Sequence, residues 1–163
     1  MIQRIQTIFL FISAALMIVM LFLPLWQKVD VNVSEVASMS AFQLKYEAFN
    51  PDTEERTLIT QQQVFYISGV AILSALVSLL SIFQFKNRLR QIQLGALNSF
   101  LISATLFVAI FFIFKAEKLL AVQEQGNYLM GFYFPVGSLL CNYMANRFIR
   151  KDEKLVRSAD RIR

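Results

Sequence analysis

One stretch limits this chain more than any other: the turn Phe85-Lys86-Asn87-Arg88-Leu89-Arg90, set between the apolar runs 64–84 and 92–114. About 20 apolar residues in a helix cover the ~30 Å hydrocarbon core of a bilayer. Three cations with no acid among them do not cross that core cheaply, so the turn fixes which side of a membrane the chain faces. Two further apolar runs, 8–26 and 128–148, flank the pair. Charged residues are 17% of the chain, against about 25% in a soluble domain, and the shortfall lies in the four runs. The expected fold class is therefore an all-α membrane protein. It is a four-helix transmembrane bundle forming a single domain, 1–163, with a small antiparallel β-structure in the first extracytoplasmic loop.

The run 8–26 follows Arg4, as a signal peptide would. It is longer than a signal core, however, and Pro24-Leu25-Trp26 follows it instead of a small-x-small cleavage site. It reads as a retained span, with Trp26 at the membrane interface and Pro24 near the helix end. The outer loop, 27–63, alternates at Val29, Val31 and Val33 and again at Phe42, Leu44 and Tyr46. Period-two patterning predicts strands. Asn50-Pro51-Asp52-Thr53 is a turn signal, and Arg56-Thr57-Leu58-Ile59-Thr60 reads as a returning strand, giving two or three strands in all.

The cations divide unevenly. Arg4, the three of the basic turn, and seven from the end of the fourth run through the tail (Arg147, Arg150, Lys151, Lys154, Arg157, Arg161, Arg163) share one side of a four-span topology. Lys28, Lys45, Arg56, Lys115 and Lys118 fall on the other. The positive-inside rule then places both termini and the turn in the cytoplasm and the strand-bearing loop outside. The tail, 149–163, has no Gly or Pro and reads as a basic helix at the lipid headgroups.

Small residues recur at helical spacing. Ala71, Ser74, Ala75, Ser78 and Ser81 mark the second run; Gly95, Ser99 and Ser103 the third; Gly137, Cys141 and Ala145 the fourth. Such stripes let membrane helices approach closely. Asn98 and Asn142 are the intramembrane polar residues, and Pro135 is a kink that frees the Gly131 carbonyl.

Chemistry has few handles here. The chain has no His and a single Cys, Cys141, so a zinc, haem or iron–sulfur site lacks ligands. No phosphate-cradling glycine pattern or paired-His motif is present. No Asp, Glu, Lys or Arg lies deep within the four runs, against a self-contained pump or symporter. The intramembrane serines have no base, and the adjacent acids Glu54 and Glu55 are ordinary loop residues. The expectation is a protein without cofactor, metal or nucleic-acid ligand. Its basic residues Lys86, Arg88, Arg90, Arg150, Lys151, Lys154, Arg157 and Arg161 contact anionic headgroups of the bilayer or a partner.

The opening Met1-Ile2-Gln3-Arg4-Ile5-Gln6-Thr7, the segment Leu23-Pro24-Leu25-Trp26 and the tail from Ile149 to Arg163 carry a resemblance. Over essentially its whole length the chain resembles a family of small bacterial four-span inner-membrane proteins, uncharacterised and defined as a domain of unknown function. The resemblance implies inner-membrane residence and no activity or catalytic residue. In arrangement alone the chain is similar to claudin-like proteins, without the cysteine pair of their first outer loop.

These readings predict a non-enzymatic accessory, assembly or interaction subunit of a larger cell-envelope complex, packed against another membrane protein or further copies of itself. The alternative is a transporter or channel component with its path at an oligomer interface, through Asn98, Asn142 and the Pro135 kink. A weaker one is a lipid-handling or lipid-sensing protein.

Overall fold

The computed structural model describes residues 2–30, 34–49, 56–85, 87–118 and 125–160. Among them are four helices: α1 (Ile2–Met20), α2 (Phe65–Phe83), α3 (Arg88–Glu117) and α4 (Met130–Asp160). Five strands accompany them: β1 (Trp26–Asp30), β2 (Glu35–Met39), β3 (Gln43–Phe49), β4 (Arg56–Gln63) and β5 (Asn127–Tyr128). The strands form one antiparallel sheet in the order β4-β3-β2-β1-β5.

This corrects the expected class. The chain is α+β, not an all-α four-helix transmembrane bundle, and its sheet has five strands where two or three were expected. Among the described residues, only α2 and α3 are long and apolar enough to cross a membrane. The apolar part of α1 is short, Ile5–Met20, because the chain leaves the helix at Leu21 and enters β1 by Trp26. In α4 the apolar residues are interrupted by Ser138, Asn142, Asn146 and Arg147 before the charged tail begins. That tail is helical and continuous with the rest of α4 as far as Asp160.

Local chemistry accounts for the connections. Asn87 caps α3, its side-chain oxygen accepting from the Arg90 N–H at 3.3 Å. The β2–β3 turn closes at Ser40, whose N–H donates to the Gln43 carbonyl at 2.9 Å. The Ser40 hydroxyl also accepts from the Gln43 N–H at 3.3 Å. β4 carries a bulge: Tyr46 pairs with Thr60 and Glu47 with Leu58, so Ile59 has no opposite number. The expected turn 50–53, Val31, Val33, Glu54 and Glu55 lie outside the described residues.

Packing joins the two layers. α1 packs on α2 and α4, and α3 on α2 and α4. Met17, Met20, Ile67, Ala109, Ile113 and Ala116 from the helices meet Trp26, Ala37, Met39 and Leu44 from the sheet in one buried cluster. The sheet therefore covers one end of the helices. The start of α1, the α2–α3 turn and the end of α4 form the other end. Trp26, expected at an exposed interface, instead opens β1 and is fully buried in the cluster between sheet and helices. Gly126 lies against it; a Cβ there would sit 2.3 Å from the indole.

A candidate site at the basic end of the helices

A polar seam runs through the helix interior. Asn98 donates to Asn142 Oδ1 at 3.1 Å and accepts from the Ser74 hydroxyl at 2.8 Å. Asn142 Nδ2 donates to the Gly95 carbonyl at 2.9 Å and to Ser99 Oγ at 2.8 Å. Ser78 donates to the Leu10 carbonyl at 2.8 Å, and Ser13 and Ser138 share a hydrogen bond of 2.8 Å. These groups are paired side chain to side chain or to backbone, which is what a dry interior requires.

The small-residue stripes are placed unequally. Ala71, Ser74, Ala75, Ser78 and Ser81 are all buried on α2. On α3, Gly95 is buried and Ser99 half-buried, but Ser103 is exposed. The inward face turns to Ile102, Thr105 and Ala109 because 3.6 residues per turn drifts off a strict four-residue repeat. On α4, Ala145 is buried while Gly137 and Cys141 are only half-buried; Ser138, Asn142 and Asn146 occupy the interior. Gly95 lets α4 come close, since a Cβ there would lie 1.9 Å from Asn146 Oδ1. Pro135 is buried within α4. Nearby, the Gly131 N–H donates to the Pro24 carbonyl at 3.2 Å, tying the start of α4 to the exit of α1.

At the end away from the sheet lies a cavity of about 580 Å³ between α3 and α4. Ala96 and Ser99 form its α3 wall; Tyr143, Asn146, Arg147, Arg150, Lys151 and Lys154 form its α4 wall. The α4 residues fall on two adjoining four-residue rows, 143/147/151 and 146/150/154, which a helix brings to one face. The two nearby acids are taken up elsewhere. Asp152 pairs with Arg88 at 3.1 Å, and Glu153 with Arg157 at 2.9 Å. Among the described residues, none of the cavity's four cations is in an ion pair. Asn146 is 8% exposed, and its Oδ1 has no hydrogen-bond partner.

Of the basic residues singled out from sequence, Arg150, Lys151 and Lys154 come together at this cavity. Arg88 is committed to Asp152 and Arg157 to Glu153, while Arg90 is exposed near Gln84 and Gln93. Lys86 and Arg161 lie outside the described residues. Tyr143, Asn146 and the α3 wall were not anticipated; the two four-residue rows were the available signal.

At the other end, β4 is an outer strand of the sheet, and its residues 57–63 are exposed. β3 offers Tyr46, whose hydroxyl donates to Glu35. Its pKa is pushed up to about 12, first by burial, then by the Glu35 hydrogen bond and the charges of Glu35 and Asp30. Among the described residues no group of three or more His, Cys, Asp or Glu is placed to hold a metal.

No curated protein matches the chain. A family model matches residues 2–162. The chain therefore belongs to the family described as domain of unknown function (DUF4293).

Proposed function

We propose that the chain is a non-enzymatic, membrane-embedded interaction subunit that recruits a partner protein through the edge of its sheet. The observation that carries this is β4: eight residues long, outermost in the sheet, exposed from Thr57 to Gln63 and carrying Leu58 and Ile59 at 59% and 51% exposure. An exposed edge strand offers backbone donors and acceptors to an incoming strand, here on either side of the bulge at Ile59.

Membrane residence is supported by what α2 and α3 leave uncovered. Only 44% of the apolar window of α2 and 28% of that of α3 is buried, and Phe100, Phe107, Phe111 and Phe114 point outward. A core helix of a water-soluble protein hides such residues; lipid accepts them. In this reading α2 and α3 cross a bacterial inner membrane. The cationic turn between them lies at the cytoplasmic face, and β4, which leads into α2, lies on the outer side. The transporter alternative is disfavoured by the seam itself, since Asn98 and Asn142 spend their polar atoms on one another and on neighbouring helices.

The test is purification of the full chain from membranes in mild detergent, followed by mass spectrometry. A stoichiometric partner, lost on Ile59→Lys, is the expected result. Recovery of the wild-type chain by itself overturns the reading.

A further inference from the structure

The cavity between α3 and α4 has the chemistry of an anion site, separate from the sheet edge and independent of any partner there. Arg147, Arg150, Lys151 and Lys154 converge on it. Unpaired like charges held on one helix face repel one another, and an anion among them relieves that repulsion. The fold removes the local competitors, since Asp152 is held by Arg88 and Glu153 by Arg157. The rest of the lining carries no acid: it is Ala96 and Ser99 on α3, Tyr143, and the buried Asn146, whose amide oxygen packs against Gly95 of α3.

We infer that this cavity binds a phosphate-bearing anion, with the guanidinium groups of Arg147 and Arg150 and the ammonium groups of Lys151 and Lys154 as its charge partners. Guanidinium groups match phosphate oxygens two at a time, and lysines add mobile positive charge. The volume, about 580 Å³, suits a headgroup-sized ligand. Ala96 supplies the space: it is exposed into the cavity where a larger side chain would fill it. The site stands at the end of α3 that adjoins the cationic turn, where phosphate groups of a bilayer meet the protein. The phosphate belongs either to a lipid headgroup or to a soluble molecule, and the chemistry at the site is the same.

The experiment uses the full-length chain in detergent micelles, titrated separately with dioctanoyl phosphatidylglycerol, dioctanoyl phosphatidylcholine and inorganic phosphate, with calorimetric readout. Three variants are compared: Arg150→Gln/Lys154→Gln; Ala96→Leu, which fills the space and leaves the charge alone; and the charge-matched control Arg90→Gln/Lys118→Gln, two exposed cations outside the cavity lining. For a lipid source, phosphatidylglycerol binds and phosphatidylcholine does not. Arg150→Gln/Lys154→Gln and Ala96→Leu each weaken binding about tenfold or more, and the control stays within about twofold. For a soluble source, inorganic phosphate shows that same variant pattern and phosphatidylglycerol gains nothing over phosphatidylcholine. The inference is overturned if the control loses as much as Arg150→Gln/Lys154→Gln, which is general surface attraction. It is equally overturned if neither phosphatidylglycerol nor phosphate binds better than phosphatidylcholine.

Discussion

Asn98 and Asn142 face each other across α3 and α4 at 3.1 Å, and each also serves a second partner, Ser74 for one and Ser99 with the Gly95 carbonyl for the other. Asn142→Leu removes three hydrogen bonds and leaves the Asn98 amide without its acceptor, while Ser99 still donates to the Gly95 carbonyl at 3.1 Å. It is expected to destabilise the fold by about 2 kcal/mol, since a hydrogen bond between buried groups contributes about 0.5–1.5 kcal/mol. Thermal unfolding in detergent measures this. The double variant Asn98→Leu/Asn142→Leu is expected to cost less than the two singles added together, because the pair shares one bond. A conducting path through these residues would instead show as a change in flux with little change in stability.

Gly95 and Gly69 make a matched comparison. A methyl at Gly95 meets Asn146 Oδ1 at 1.9 Å and forces that side chain aside, whereas a methyl at Gly69 meets nothing within 4 Å. Gly95→Ala is expected to destabilise by about 1–2 kcal/mol. Gly69→Ala is expected to stabilise by about 0.5–1 kcal/mol through helix propensity. Adding Asn146→Ala to Gly95→Ala restores most of the loss. Thermal melts of the four proteins in one detergent give the comparison.

Trp26 reports on the sheet. It is the sole tryptophan and it is fully buried, so its emission is expected to lie to the blue. Gly126→Ala puts a methyl into the indole's place. The expected result is a red-shifted emission and a lower unfolding midpoint, both read in one fluorescence melt.

Tyr46 gives a pH signature. Its folded-state pKa, about 12, lies above the ordinary 10.0, so the folded protein holds the phenol proton more tightly than the unfolded chain. The resulting stability is complete below about pH 10 and is lost as pH climbs through about 12. Tyr46→Phe removes that component. Its unfolding midpoint is expected to fall less steeply than the wild type's between pH 10 and about 12.

The apolar segments of α2 and α3 and the cationic turn were legible because composition over a window decides them; runs 8–26 and 128–148 misled, since the first gives way to β1 at Trp26 and the second is broken by Ser138, Asn142 and Asn146. The β3 alternation at Leu44 and Tyr46 and the returning strand at Arg56–Thr60 were legible for the same kind of reason. β2 was not: Glu35-Val-Ala-Ser-Met buries Val36 and Ala37 in succession, so no clean alternation survives, and its turn at Ser40 has neither Gly nor Pro. β5 is two residues long and exists only because β1 is beside it. Trp26 misled because an aromatic next to Pro24 at the end of an apolar run has the same pattern whether it rests on lipid or packs between sheet and helices. The seam was half visible: Asn98 and Asn142 stood out, but that they bond to one another is set by how α3 and α4 align. The cavity's cations were visible as charge, and its α3 wall depends on tertiary packing alone.

The pairing of β5 with β1 has a consequence for how the molecule is made. Gln27 and Asn127 are neighbours in space but 100 positions apart along the polypeptide. A ribosome delivers the first partner long before the second, so the nascent sheet waits with one border open until α3 has been synthesised. Gly126 arrives with that same closing segment and covers the indole. The closing of that border therefore leaves an optical trace in the environment of a single side chain.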